Sequence, residues 1–264
     1  MKIKILEYNI LNGLCNEQPP YDIDKKRENA FIEVIKREKP DILLLCEACC
    51  WPFAEQTLFK DYGNVLSSIY SHCNSKDFRW APAIFSRFPV EAKNLSRLYK
   101  SFVRASIGMN GKSLNVDVVH PNPALTEIER QEFFKEVLKS RKEPYVIAGD
   151  FNSLHPGDGY DPEKMIRGYQ VFMGERGEAK ARDILKATAL KPLLEHNLID
   201  TQTIRDKGVF TVPTDWRNKN KDSAVRLDYI FCSEELKVID SGIIKDELTD
   251  KASDHYPIFA VLQI

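Results

Sequence analysis

The chain has 264 residues, of which 43% are hydrophobic and 29% are charged, enough for one substantial core. Its 38 basic and 39 acidic side chains nearly cancel, so it lacks the positive charge typical of a protein that binds nucleic acid over its whole surface. No apolar run approaches the roughly 18 residues of a membrane span, and the N-terminus shows no signal peptide. We therefore expect a single domain over 1–264, monomeric and cytoplasmic.

The predicted elements alternate unevenly, with strands in excess. Short apolar runs rich in β-branched residues predict strands, and apolar residues at helical spacing predict helices. This pattern favours a layered mixed α/β architecture over a strict βαβ repeat. In chain order, the elements are a strand at 3–8, a helix at 24–39, strands at 42–45, 65–69, 82–85, 102–108 and 113–119, a helix at 126–141, a strand at 145–148, a helix at 183–197, and strands at 227–231 and 258–262.

Residues 154–182 fit this scheme poorly, because they are rich in glycine, proline and charge. We interpret them as a long ordered loop, and such loops are usually functional. Their place directly after Asp150 and Asn152 predicts an insertion beside the active site. A surface insertion without a role in the site is the alternative.

The six cysteines include one Cys-x-x-Cys pair, Cys46 and Cys49, followed by Cys50. The remaining three are scattered and supply no second pair at zinc-site spacing. The pattern favours small buried side chains in a reducing compartment, with a structural zinc site as the alternative.

The most informative motif is Asp150-Phe151-Asn152, which follows an apolar run over 146–149. Residues two apart in an extended segment share one face, so the carboxylate and the amide point the same way. Packing does not need an acid at the end of a buried strand. Holding a water molecule or a divalent metal against a phosphate does.

Other strand-associated segments also carry polar residues. Each has an ordinary explanation: Glu47 could cap a following helix, His120 could be a half-exposed strand end, Asp228 could pair with Arg226, and Asn9 could close a turn. Together their hard oxygen donors favour Mg²⁺ or Mn²⁺ over zinc. Histidines among them suit a reaction that develops negative charge on phosphate oxygens, and hydrolysis of a phosphate ester by water fits best. The set is Asn9, Glu47, His120, Asp150, Asn152, Asp228, Asp254 and His255.

These motifs resemble those of the endonuclease/exonuclease/phosphatase superfamily. The resemblance extends from Tyr8 to Pro257, and its specific part is the ordered combination of Gly149-Asp150-Phe151-Asn152, Arg226-Leu227-Asp228-Tyr229 and Ser253-Asp254-His255. It implies a four-layer α/β/β/α sandwich, in which two mixed β-sheets pack face to face and are flanked by helices. It also implies a metal-dependent phosphoesterase.

The resemblance further implies a role for each residue. Glu47 would be the principal metal ligand, with Asn9 and Asp254 nearby, and Asp150 would activate the attacking water. The remaining positions would contact the substrate or orient those that do. Asn152 would hold the water or a phosphate oxygen, His255 would bind the scissile phosphate with its ring oriented by Asp228, and His120 would bind the phosphate from the other side. Arg130 would bind the substrate or support the site. A solvated helix charge is the alternative for Arg130.

One position departs from the family pattern. Leu11 lies two residues after Asn9, where many DNA-repair members carry an acid. The departure removes a candidate ligand and makes the first strand more like that of the deadenylase-type branch. It weakens an assignment to cleavage at abasic sites.

The substrate depends on the loops rather than on this core. The segment Trp216-Arg217-Asn218-Lys219 offers an aromatic ring and cations, which suit a nucleic-acid backbone and a stacked base. We therefore favour a nuclease acting on DNA or RNA, with Trp216 and Arg217 in substrate binding. The alternative is a phosphatase or phosphodiesterase acting on a sugar, inositol or lipid head-group phosphate. A binding module without catalysis is disfavoured, because all expected polar positions but Leu11 are suitably filled.

Overall fold

The computed structural model describes residues 1–16, 22–49, 70–73, 81–97, 100–109, 111–202 and 209–264. The strand predicted at 65–69 lies outside these ranges, as does Cys50.

The described residues form two six-stranded mixed sheets. The first sheet has the order β11-β12-β1-β2-β4-β3 and the second has the order β5-β6-β7-β8-β10-β9. The strands are β1 (Lys2–Asn9), β2 (Ile42–Cys49), β3 (Tyr70–Cys73), β4 (Ala81–Ser86), β5 (Val90–Arg97), β6 (Lys100–Met109), β7 (Lys112–Val119), β8 (Tyr145–Asp150), β9 (Ile199–Asp200), β10 (Asp228–Cys232), β11 (Lys237–Ile243) and β12 (Ile258–Gln263).

Strand direction brings the polar segments to one edge of the molecule. In the first sheet β1 and β2 are parallel, and in the second β7 and β8 are parallel, so the carboxyl ends of each pair lie together. Strands β12 and β10 run antiparallel to β1 and β8, so these two strands begin where their neighbours end. Asp228, the first residue of β10, therefore pairs directly with Asp150, the last residue of β8.

Helices cover the outer faces of both sheets, and the predicted four-layer fold is confirmed. Within the described ranges, no helix is long and apolar enough to cross a membrane. The helices are α1 (Lys25–Glu38), α2 (Glu127–Leu138), α3 (Pro162–Met173), α4 (Glu175–Ile184), α5 (Lys191–Glu195) and α6 (Glu247–Ala252).

Local sequence explains where α1 and α2 begin and which faces they bury. The Asp24 carboxylate caps α1 by accepting from the backbone N–H groups of Lys26 and Arg27. Thr126 and Glu129 form a capping box at the start of α2. Apolar side chains such as Phe31 of α1 then pack on the first sheet, while those of α2 pack on the second.

The core between the sheets consists of alternate residues of the central strands. Ile5 and Leu44 of the first sheet pack in one fully buried cluster with Val116, Val146 and Ile230 of the second. Each such side chain contributes roughly 1.5–3 kcal/mol when it leaves water. The core thus fixes the two sheets against each other directly beneath the polar edge.

Two predictions about the connections are wrong. Residues 162–184 are not a loop but two helices, α3 and α4, separated at Gly174, whose φ of 66° ends the first helix. Gly168 of α3 packs so closely on the chain at Asp222 that a Cβ would lie 2.4 Å from a backbone carbon atom. The helix predicted at 183–197 is reduced to the end of α4 and the short α5, because Pro192 cannot lie inside a helix and occupies its start instead.

Candidate active site

Eight polar side chains meet at the shared edge of the two sheets, and we call them the central cluster. They are all of the metal-ligand and catalytic residues predicted from the sequence: Asn9, Glu47, His120, Asp150, Asn152, Asp228, Asp254 and His255. Most of them are buried, and only Glu47 and Asp254 are half-buried.

Asn9 joins the two sheets at this edge. Its side-chain nitrogen donates to Glu47 Oε1 at 3.3 Å and to Asp150 Oδ2 at 3.1 Å, while its Oδ1 accepts from the backbone N–H of Leu11 at 3.1 Å. The Ser253 hydroxyl donates to the Asn9 carbonyl at 2.7 Å. The amide is thus fixed at both ends and orients two carboxylates.

Glu47 lies within β2, which continues to Cys49, and the helix that it was expected to cap falls outside the described residues. Its φ of 56° is left-handed, and the pairing of β2 with β4 is irregular between Leu45 and Cys49. Such a backbone costs a residue other than glycine about 1–3 kcal/mol. The backbone N–H of Asn12 donates to Glu47 Oε2 at 2.9 Å, while burial, together with the charge of Asp254, raises the pKa of Glu47.

Asp150 lies at the centre of the cluster. Its Oδ1 accepts from the backbone N–H of Asn152 at 2.9 Å, and its Oδ2 lies 3.5 Å from Nε2 of His120 and 3.8 Å from Nε2 of His255. Burial raises its pKa to about 7, against the opposing charge of His255. A carboxyl group with this pKa can accept a proton near neutral pH.

The backbone before and after Asp150 has unusual conformations. Gly149 has a φ of 144°, and a Cβ there would lie 1.9 Å from the carbonyl oxygen of Val119, so only glycine allows β8 to approach β7 this closely. Asn152 has a φ of 51°, and its Nδ2 donates to the carbonyl of Pro121 at 3.0 Å. The segment after β7 and the segment after β8 are therefore hydrogen-bonded to each other.

Asp228 and His255 form a buried pair, with Oδ2 of the carboxylate 2.8 Å from Nδ1 of the imidazole. Burial lowers the pKa of His255, but the charge of Asp228 and this hydrogen bond outweigh it and raise the pKa well above the ordinary value. The imidazole is therefore held protonated, with Nε2 directed toward Asp150.

The donor atoms in the cluster fit a divalent cation. One ligand atom from each of Asp150, Asp228 and His255 lies within 4.8 Å of the others, and Oδ1 of Asp228 is buried with no hydrogen-bond partner among the described residues. Glu47 and Asp254 add two more carboxylates, and the charge of Asp254 contributes to the raised pKa of Glu47. A set dominated by carboxylate oxygens suits Mg²⁺ or Mn²⁺.

Arg130 lies inside the protein, so it is not the solvated helix charge of the alternative interpretation, and its role at the site stays a prediction. It is fully buried, and its guanidinium pairs with Glu127 at 3.0 Å and donates to Ser153 Oγ at 2.8 Å and to the carbonyl of Leu125. With its donors directed into the protein, Arg130 supports the backbone next to Asn152. The helical position was visible in the sequence, but its burial was not.

Two further buried residues at the cluster were not identified from the sequence. Arg27 of α1 donates to the carbonyls of Ile10, Leu11 and Ala252 and so connects the segments after β1 and before β12. Glu7 lies on the same face of β1 as Asn9, fully buried, and burial together with the charge of Asp228 raises its pKa well above the ordinary value. The two-residue spacing from Asn9 was the available signal for Glu7.

The predicted substrate-binding residues Trp216 and Arg217 are exposed beside the cluster. The backbone N–H of Thr214 donates to the Asp254 carbonyl at 2.9 Å, which places this loop next to the cluster. Trp216 is 47% exposed, and the Arg27 guanidinium carbon lies 5.4 Å from its ring centre. We call Trp216, Arg217 and Lys219 the outer border.

The buried cysteines Cys15, Cys46 and Cys232 are free thiols. Cys46 accepts from the backbone N–H of Asp150 at 3.3 Å and donates to the carbonyl of Val119 at 3.4 Å, as a small buried side chain does. The Cys49 side chain and Cys50 lie outside the described part of the chain, so the zinc alternative stays untested there.

A model of the Endonuclease/Exonuclease/phosphatase family matches residues 6–255. The chain belongs to this family. No curated protein sequence matches it significantly. The match to the family model confirms the family resemblance inferred from the sequence motifs.

Solved structures with the family's fold align over nearly the whole chain. An AP endonuclease from Archaeoglobus fulgidus has a TM-score of 0.71 at 21% identity, covering 99% of this chain and 100% of its own. An endonuclease/exonuclease/phosphatase from Beutenbergia cavernae DSM 12333 has a TM-score of 0.66 at 17% identity, covering 100% of this chain and 72% of its own. D. rerio TDP2 complexed with a single-strand DNA product has a TM-score of 0.63 at 17% identity, covering 100% and 99%. At these identities the likeness concerns the fold.

Proposed function

We propose that this family member is a Mg²⁺- or Mn²⁺-dependent hydrolase that cleaves phosphodiester bonds of DNA or RNA by attack of water. The observation that supports it most is the position of Asp150 Oδ2, 3.5 Å and 3.8 Å from Nε2 of His120 and His255. A proton acceptor between two groups able to donate to phosphate supports hydrolysis by general base catalysis and by stabilisation of developing charge.

Asp150 accepts the proton of the attacking water. Its pKa of about 7 makes the carboxylate a competent base near neutral pH, and Asn9 and the backbone N–H of Asn152 fix its orientation. The side-chain oxygen of Asn152 can accept a hydrogen bond from the water, and the second proton of its nitrogen, whose first is donated to Pro121, can go to a phosphate oxygen.

His255 and His120 stabilise the negative charge that develops on the phosphate. Asp228 holds the His255 ring by its Nδ1 at 2.8 Å, which leaves Nε2 to donate to a phosphate oxygen. His120 approaches the same region from the second sheet, with its Nε2 3.9 Å from Oε1 of Glu47.

Glu47, Asp254 and Asn9 would hold the cation, and Asp150 and Asp228 would place further carboxylate oxygens nearby. When bound, the cation supplies positive charge that polarises the phosphate and lowers the pKa of water. Around it the protein positions the carboxylates through backbone donors such as Asn12 N–H.

A nucleic-acid substrate is supported by the outer border, whose exposed Trp216 and Arg217 suit stacking and phosphate binding. Two structural neighbours, an AP endonuclease and TDP2 complexed with a DNA product, are in line with it. The near-neutral net charge of −1 favours a second candidate, a small phosphate ester of a sugar, inositol or lipid head group.

A substrate panel tests the proposal. Single- and double-stranded DNA, abasic DNA, RNA, and small phosphate mono- and diesters would be incubated with Mg²⁺ or Mn²⁺, with EDTA and the Asp150→Asn variant as controls. We expect cleavage of at least one nucleic acid that EDTA abolishes. Turnover of small esters alone would replace the nuclease with the second candidate, and no metal-dependent turnover of any substrate would contradict both.

A further inference from the structure

A second concave region lies outside the central cluster, between residues 123–126 and helices α3 and α4. Its volume is about 670 Å³. Pro123, Leu125 and Met173 give it an apolar side, and Arg176 and Lys180 contribute positive charge. We call it the lateral pocket.

The charges that line the lateral pocket are mainly positive and only partly neutralised. Of its four cationic side chains, Arg182 pairs with Glu178 at 2.7 Å and Lys186 pairs with Asp183 at 2.8 Å. The Lys180 ammonium donates to the carbonyl of Pro123 at 2.5 Å and forms no ion pair with a carboxylate in the part of the chain that the structure describes. Burial, reinforced by the charge of Arg130, lowers its pKa to about 8. A partly desolvated ammonium gains stability from an anionic ligand.

The lateral pocket is joined to the central cluster by one short segment of chain. His120 belongs to the cluster, Pro121 accepts from the side chain of Asn152 at 3.0 Å, and Pro123 already lines the pocket. Three residues span at most about 11 Å, so one substrate molecule can reach both places. Arg130 braces this connection, because it donates both to Ser153 and to the carbonyl of Leu125.

We propose that the lateral pocket binds the nucleotide next to the scissile phosphate. Lys180 and Arg176 contact its phosphate, and its sugar and base lie against Pro123, Leu125 and Met173. A concave site with one apolar side and one cationic side suits a nucleotide better than a flat basic surface does. This inference rests on the proposed nuclease function, and it adds the direction in which the nucleic-acid strand leaves the central cluster.

An anionic lipid surface is the other ligand to be tested. Val171 and Phe172, at the end of α3 beside the pocket residue Met173, are 74% and 51% exposed. Exposed apolar residues beside cations are also found where proteins contact membranes. The volume and concave shape of the pocket favour the nucleotide, and the experiment separates the two.

The test compares Arg176→Ala with Lys180→Ala against a matched control, Lys164→Ala with Arg167→Ala, which removes the same charge from the exposed part of α3. Steady-state kinetics would be measured with a single-stranded oligonucleotide and with bis(p-nitrophenyl) phosphate. We expect the pocket variant to lower the ratio of the two kcat/KM values about tenfold, mainly through KM of the oligonucleotide. The control should leave the ratio unchanged.

Binding measured without turnover makes the result independent of catalysis. In an Asp150→Asn background, fluorescence anisotropy of the labelled oligonucleotide should show weaker binding for the pocket variant. The slope of log Kd against log salt should fall by about 0.7 for each lost phosphate contact. Circular dichroism would verify that both double variants are folded.

The assignment would be overturned if the pocket variant and the control variant had the same ratio of kcat/KM values and the same affinity for the oligonucleotide. Loss of binding to phosphatidylserine-containing vesicles, with oligonucleotide kinetics unchanged, would also overturn it and identify a lipid contact. Failure of the unmodified protein to bind or cleave any nucleic acid would instead disprove the proposed function, and the inference with it.

Discussion

The central cluster and the outer border lie next to each other but are built differently. In the cluster, Asn9, Asp150 and His255 are buried and each makes at least one hydrogen bond to a side chain or backbone group of a neighbouring segment. In the border, Trp216 and Arg217 are exposed on a loop. Buried groups with fixed partners determine a reaction, whereas exposed side chains select its substrate through contacts that can change without altering the chemistry.

The largest expected effect comes from Asp150→Asn. The amide keeps the shape of the side chain but cannot accept the proton, so Mg²⁺-dependent kcat should fall about 10²- to 10⁴-fold. The melting temperature should hold or rise, because a buried carboxylate is removed. The control is Asp117→Asn, outside the cluster, where Asp117 forms a buried ion pair with Arg104 at 2.6 Å. Weakening this pair should lower the melting temperature and leave kcat unchanged. Near-normal turnover by Asp150→Asn would remove it from the mechanism.

The metal dependence should respond next most strongly, through Glu47→Gln. Loss of a carboxylate ligand should raise the Mg²⁺ concentration for half-maximal rate at least tenfold. The matched control is Glu33→Gln on the exposed face of α1, where Glu33 pairs only with Lys36 at 2.9 Å among the described residues. Identical metal titrations for the two variants would show that Glu47 holds no cation.

The buried cluster should also make the metal-free protein less stable as the pH rises. The pKa values of Glu47, Asp150 and His255 are all raised in the folded state, so the folded protein holds protons that the unfolded chain has released. Stability then falls as pH increases. In EDTA we expect the melting temperature to decline from pH 5 to pH 8, less steeply for Asp150→Asn. Added Mg²⁺ should stabilise the protein more at pH 8 than at pH 5. A melting temperature in EDTA that rises with pH would contradict the raised pKa values.

The smallest effect is expected at the outer border. Arg217→Ala with Lys219→Ala should lower kcat/KM for an oligonucleotide by about threefold to tenfold and for a small diester much less, because only the long substrate reaches these cations. Lys36→Ala with Lys139→Ala, at exposed positions on α1 and just after α2, is the charge-matched control. Equal losses on both substrates would assign the border to the chemistry and weaken the contrast with the cluster.

Most of the cluster could be predicted from the sequence because the end of a buried strand is visible as a change from apolar to polar residues. A polar residue directly after an apolar run, such as Asn9 or Asp150, marks an edge of the sheet, and the parallel pairs bring these edges together. The helices over 162–184 were missed because glycine, proline and charge outweighed the signals that were present. Asp161 caps α3, and Pro162 occupies its first turn.

Burial and backbone conformation were not predictable in the same way. Arg27 and Arg130 look like solvated helix charges in the sequence, because their partners are main-chain carbonyls and a hydroxyl far along the chain. The left-handed φ of Glu47 likewise has no sequence signal, since glutamate rarely adopts it.

That left-handed glutamate has a consequence for engineering the protein. Glycine would relieve the backbone at position 47 at little cost, so a selection for thermostability alone would favour Glu47→Gly. The same exchange would delete the carboxylate beside Asn9 and Asp254. Selection for heat resistance and selection for turnover should therefore diverge at this one codon.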